Sequence, residues 1–136
     1  MEITVSKQQE RVPVTVLQPH GDVDASNYNE LINKAREQFN SGAGDFLVDL
    51  SDVPFMSSAG LVALHSIAMF LRGEKPVDPQ SGWAALKSMD RSRESGMLVH
   101  LKLLNPREMV GETLEKAGFT QFFQVFTDLK KAVASF

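Results

Sequence analysis

Apolar and polar residues alternate at the start of the chain and later change to helical spacing, and that change of period sets the first expectations. Ile3, Thr4, Val5 and Ser6 alternate, KQQER makes a polar turn, and Val12, Val14 and Val16 recur at every second position. This is the period of strands with one face in water, and it predicts a β-hairpin. After GDVD, the residues Tyr28, Leu31, Ile32, Ala35 and Phe39 share one helical face, with Asp24 or Ser26 placed to cap the helix and NSGAG to stop it. DFLVDL is short and apolar enough for a buried strand. From Ser58 onward Leu61, Leu64, Ile67, Ala68 and Leu71 return at helical spacing. The stretch DLSDVPFMSSAGLVALHSI, residues 49–67, therefore reads strand, loop, helix, with Ser57 and Ser58 at the helix start.

The last third repeats the alternation. HLKLLN is strand-like; Asn105 is placed as a cap, Pro106 at the first helical position and Glu108 to complete a capping box. Met109, Val110, Leu114 and Ala117 make the buried stripe, and Gly118 can end the helix in a left-handed conformation. FFQVF is a further strand, and Thr127 can cap a short helix carrying Leu129, Ala132, Val133 and Phe136. The order ββαβα, interruption, βαβα implies an α/β fold. We expect one mixed, mostly parallel sheet of five strands, opened by an antiparallel hairpin, with four helices packed mainly on one face. The interruption at residues 72–97 holds two prolines, three glycines, mixed charges and Trp83. It reads as a solvated insertion, more mobile than the rest and pinned by Trp83 and Leu86, within a single domain spanning 1–136; a role in partner contact stays open.

Composition narrows the function classes. A chain of 136 residues, 43% hydrophobic, fits one domain with a real core. A net charge of -3 without a basic stripe argues against nucleic-acid binding. The absence of cysteine excludes disulfides, thiolate nucleophiles and zinc–thiolate sites. No basic leader precedes an apolar run and no apolar run approaches the ~18 residues of a span, so the expectation is a soluble, unprocessed, cytoplasmic protein. Catalysis finds no constellation. Ser58 and His65 are seven residues apart on one helix, about 10 Å of rise, too far for a base to reach its nucleophile. His20 and His100 read as single strand-end residues without an evident carboxylate partner. Asp22 with Asp24 is too small a set for a metal. A receiver domain would need its acidic pair after the first strand and a lysine at a later strand end; here Asp22 and Asp24 follow a second, hairpin strand and FFQVFTDLKK offers no such lysine. We expect no enzyme activity, no cofactor and no metal.

The serines remain. A helix N-terminus offers unpaired N–H groups and the positive end of the macrodipole, so it tolerates a phosphate on a nearby hydroxyl. The plainer alternative is that Ser57 or Ser58 is an N-cap, worth roughly 1 kcal/mol.

DLSDVPFMSSAGLVAL, with GDVDASNYNEL upstream and LLNPREMVGETLEKAGF downstream, resembles the STAS family, the fold of bacterial anti-sigma factor antagonists and of the cytoplasmic ends of sulphate transporters. The likeness covers nearly all of the chain apart from the insertion. It implies a bacterial antagonist that binds an anti-sigma factor with serine kinase activity, with a serine phosphatase as a second partner. By that resemblance Ser58 is the phosphoacceptor, with Ser57 as the alternative, and Asp24, Ser57, Ser58 and Gly60 form the partner surface. Two positions depart from the family pattern Phe-Met-Asp-Ser-Ser-Gly-Leu: Ser57 stands where the family has aspartate, and Ala59 where it has a second serine. The other reading is a constitutive scaffold or ligand-sensing STAS protein in which the serines only cap the helix.

Overall fold

The computed structural model describes residues 1–73 and 98–136. The expectations for the insertion, including the anchoring by Trp83 and Leu86, fall almost wholly outside the described residues. Five strands, β1 (Glu2–Gln9), β2 (Pro13–His20), β3 (Phe46–Asp49), β4 (Leu101–Leu104) and β5 (Val125–Phe126), form one sheet in chain order. β1 and β2 are the antiparallel hairpin, in register from Glu2↔His20 to Gln9↔Pro13. The remaining pairings are parallel. Four helices complete the described chain: α1 (Tyr28–Asn40), α2 (Ser58–Leu71), α3 (Glu108–Lys116) and α4 (Leu129–Ala134).

Side-chain alternation divides the sheet into two faces. Leu17, Phe46, Val48, Leu101 and Leu103 point to the first, where they meet Leu31 and Ile32 of α1, Leu64 and Ile67 of α2, and Val110 and Leu114 of α3. Val14, Val16, Leu47 and Leu104 point to the second, where Ala132 and Val133 of α4 cover them. Three of the four described helices thus share one face, as the half-polar hairpin implies: Thr4, Ser6 and Gln8 of β1 are exposed, whereas Ile3 and Val5 lean on the first core. β2 is buried on both faces from Val14 to Leu17 because both are covered, the one polar residue of that run, Thr15, accepting from Lys7. α2 is buried from Gly60 to Ala68, polar His65 and Ser66 included, as befits the central helix of the layer.

Several local expectations are corrected. α1 is capped at Asn27, not at Asp24 or Ser26; the Asp24 carboxylate instead accepts from the Ser26 N–H, and the Asp24 carbonyl accepts from the N–H groups of Asn27 and Tyr28. Asn105 does not cap α3. Its N–H donates to the Phe126 carbonyl at 2.7 Å, extending the β4–β5 ladder, and its φ of 50° turns the chain, so the helix starts at Glu108 behind Arg107 and no capping box forms. Met109 then falls outside the buried stripe and is 58% exposed. In FFQVF only Val125 and Phe126 pair; Phe122 and Phe123 are buried in a ring cluster with Phe119. Asp128, not Thr127, caps α4, accepting from the Lys131 N–H. Gly118 is left-handed as expected, with φ 79°. Among the described residues no helix is long and apolar enough to cross a membrane.

Candidate functional site

Parallel strands deliver their following loops to the same end of the sheet, so the β2–α1, β3–α2 and β4–α3 loops lie together beyond the strand C-termini. The first two are stitched by backbone bonds. Gly21 N–H donates to Asp52 C=O (3.0 Å), Val23 N–H to Phe55 C=O (3.0 Å) and Ser57 N–H to Val23 C=O (2.9 Å), with an isolated parallel bridge between Val23 and Met56. Asp24, the residue after Val23, is thereby held against the loop that carries the serines.

The adjacent serines have different environments. Ser57, in extended backbone, is the N-cap of α2: its Oγ accepts from the Ala59 N–H (3.2 Å) and its carbonyl from the Gly60 N–H (3.0 Å). It is half-buried. Ser58 is exposed, and its hydroxyl forms no hydrogen bond among the described residues. No acidic residue occupies the first turn of α2, so the positive end of the helix has no negative side chain of its own. The Ser26 hydroxyl, and after it the Ser26 N–H, hold the Asp24 carboxyl below the usual carboxylate range, so it is ionised at neutral pH. Gly60, assigned to the surface by resemblance, is buried. A Cβ there would stand 2.4 Å from Met56 Cγ and 3.2 Å from Val23 Cγ1, so the glycine lets α2 settle onto the stitched loops and is not a contact surface.

A second cluster at this end is corrected from the sequence reading. His20 has carboxylate company: its Nδ1 bonds Asp52 Oδ2 and its Nε2 lies 2.7 Å from Thr4 Oγ1. Asp52 also faces Arg107 Nη2 at 3.7 Å, and Arg107 Nε donates to the Ser51 carbonyl at 2.9 Å. At the opposite end of the sheet, just before β3 and β4, His100 pairs with Asp45 at 2.8 Å. Both carboxylates are distant in sequence from their histidines, by 32 and 55 residues, and only the sheet register brings them together. Two apolar side chains accompany the cluster: Phe55 on the β3–α2 loop, 43% exposed, and Met109 on the first turn of α3. His65 is buried within α2 whereas Ser58 is exposed, so the two are not arranged as a nucleophile and base.

The STAS domain family profile matches residues 5–74. No curated protein sequence matches the chain. Among solved structures, an anti-sigma factor antagonist from Mycobacterium paratuberculosis aligns over 98% of this chain and 93% of its own at 16% identity and a TM-score of 0.63. A Thermotoga maritima protein described as a candidate anti-sigma factor antagonist aligns over 94% and 90% at 19% identity and a TM-score of 0.63. The anti-sigma factor antagonist SpoIIAA in its unphosphorylated form aligns over 96% and 93% at 14% identity and a TM-score of 0.55. At these identities the likeness is one of fold: a SpoIIAA-like α/β domain.

Proposed function

The chain belongs to the STAS domain family, and from that premise we propose that it is a non-catalytic, cytoplasmic anti-sigma factor antagonist, bound by an anti-sigma factor with serine kinase activity and released by phosphorylation of Ser58. The observation that carries this reading is the division of labour between the serines. Ser57 is engaged as the cap, which leaves the exposed Ser58 hydroxyl free at the positive end of a buried helix. A phosphate adds about -1.5 to -2 charges at neutral pH, and the folded protein accommodates them at that helix end. The cost falls on the partner. A new dianion near the ionised Asp24 repels an acidic partner surface or leaves a desolvated contact unmade. A serine phosphatase restores the binding form.

A second reading, a constitutive scaffold or ligand-sensing domain, draws on the Ser57 cap itself, which explains one of the two serines without any modification. Phosphopeptide mapping of protein isolated from its native cell separates the two. The proposal expects phosphate on Ser58, weakened binding of the anti-sigma factor by Ser58→Asp with a melting temperature close to wild type, and binding that resists ATP-driven release in Ser58→Ala. Equal partner binding by wild type and by the Asp and Ala variants of both serines rejects the switch and leaves capping as their role.

A further inference from the structure

β1 is an edge strand of eight residues, whereas the opposite edge, β5, has two. Among the described residues no strand pairs with the outer side of β1, so its outward row of N–H and C=O groups is a template for another strand. Sheets usually blunt a long edge with proline, a bulge, a charge projecting over it or a covering element. β1 contains no proline, and its register with β2 runs without a bulge. Its one lysine, Lys7, is tied back within the same chain to Thr15 Oγ1 (2.7 Å) and Gln38 Oε1 (3.1 Å).

We propose that β1 pairs antiparallel with β1 of a second copy of this chain, about a two-fold axis through Val5, to make one continuous sheet. The strand is self-complementary in that register. A two-fold axis normal to the sheet keeps each face on its own side, so opposed residues share parity and the axis passes through a residue. Through Lys7 it would set lysine against lysine, and through Ser6 it would bring Glu2 to Glu10. Through Val5 it sets Val5 against itself, Ile3 against the Lys7 stem, Thr4 against Ser6 and Glu2 against Gln8, with no like charges opposed. β-Branched pairs and hydroxyl pairs are favourable across antiparallel strands. Ile3 and Val5 already pack on the first core at its open margin, and a second strand would cover the flank they leave half-exposed. An isologous contact of this kind closes on itself and stops at two copies.

The register makes the test specific, because Thr4 and Ser6 are exposed and face each other across the axis. Sedimentation velocity of the full chain from micromolar to submillimolar concentration is expected to move toward the mass of two copies. Thr4→Lys with Ser6→Lys sets lysine against lysine at both symmetric contacts and is expected to weaken self-association about tenfold or more. Thr4→Lys with Ser6→Glu sets opposite charges there and is expected to restore it. Both double variants lose the Thr4 bond to His20 equally, so their melting temperatures report that shared cost separately from assembly. A single-copy mass at every concentration overturns the proposal, as does a dimer unmoved by the lysine pair or weakened equally by both double variants.

Discussion

The two faces of the sheet are closed by different means. On the first, three helices bring enough leucine, isoleucine and valine to bury the central strands, and the Lys7 tie to Thr15 and Gln38 stands only at its margin. On the second, a helix of six residues does the work, and a helix so short has little stability of its own. There a lysine takes part. Lys102 of β4 is only 3% exposed; its ammonium donates to the Ser135 carbonyl (3.0 Å) and hydroxyl (2.9 Å) and stands over the rings of Phe136 and Phe126. A cation at this place meets the unsatisfied carbonyls and negative dipole at the end of α4, while its stem fills the gap between strand and helix. Where apolar area is plentiful, packing closes the middle of a face and leaves the polar ties to its margin. Where it is scarce, the fold accepts the cost of burying a charge to fasten the helix end.

That contrast can be broken most directly by truncating one side chain on each face. Leu64→Ala in α2 is expected to cost about 3–5 kcal/mol in urea unfolding, and Val133→Ala in α4 about 2 kcal/mol, with hydrogen exchange hastened mainly in α4 for the second. Equal losses would show that both faces carry the same load. The lysine sharpens the contrast through pH. Burial pushes the Lys102 pKa below the ordinary lysine value of 10.5, against a smaller opposite pull from Asp45. Between the lowered value and the ordinary one the unfolded chain holds more protons than the folded, so stability rises with pH across that window and the full cost of the buried charge is felt below it. Lys102→Met is expected to flatten this rise in denaturation midpoints taken from neutral pH to about 10.5; parallel curves for the two proteins would remove the lysine from the account. The smallest effect concerns the start of α2. Ser57→Ala is expected to cost about 1 kcal/mol and Ser58→Ala less than about 0.5 kcal/mol in thermal unfolding, because only Ser57 accepts a backbone N–H. A cap loss as large as that of Leu64 would mean that the first face depends on more than packing.

Elements set by period were legible in the sequence. The alternation at Ile3–Ser6 and Val12–Val16 gave the hairpin, and the helical spacing from Leu61 to Leu71 gave α2, because those patterns record which side faces the core. Helix starts were misread where a tertiary bond outbid a local one. Asn105 has cap chemistry, yet its N–H completes the ladder to Phe126, and that fixes a turn where a helix could have begun. Asp24 was misread for a different reason: its carboxylate is taken by another local bond, to Ser26 two residues on. In the candidate site the serine pair was visible, but which serine caps was not, since that depends on one 3.2 Å bond. The His20–Asp52–Arg107 cluster left no local trace, because its members come from the end of β2 and from two separate loops. Lys102 did leave one: a lone charge inside LKLL, at a position whose neighbours are all apolar, was a signal available to a closer reading.

The three backbone bonds between the β2–α1 and β3–α2 loops also bear on the speed of recognition. A loop that wanders must be frozen by whatever docks on it, and that ordering slows capture and subtracts from affinity. Here Gly21, Val23 and Ser57 are already tied, so the loop meets an incoming protein in its final shape and productive collisions need not wait for it to settle. Under the proposed switch the same stiffness confines the signal to a single oxygen atom: the scaffold around Ser58 stays put, and what changes is how long a complex lasts.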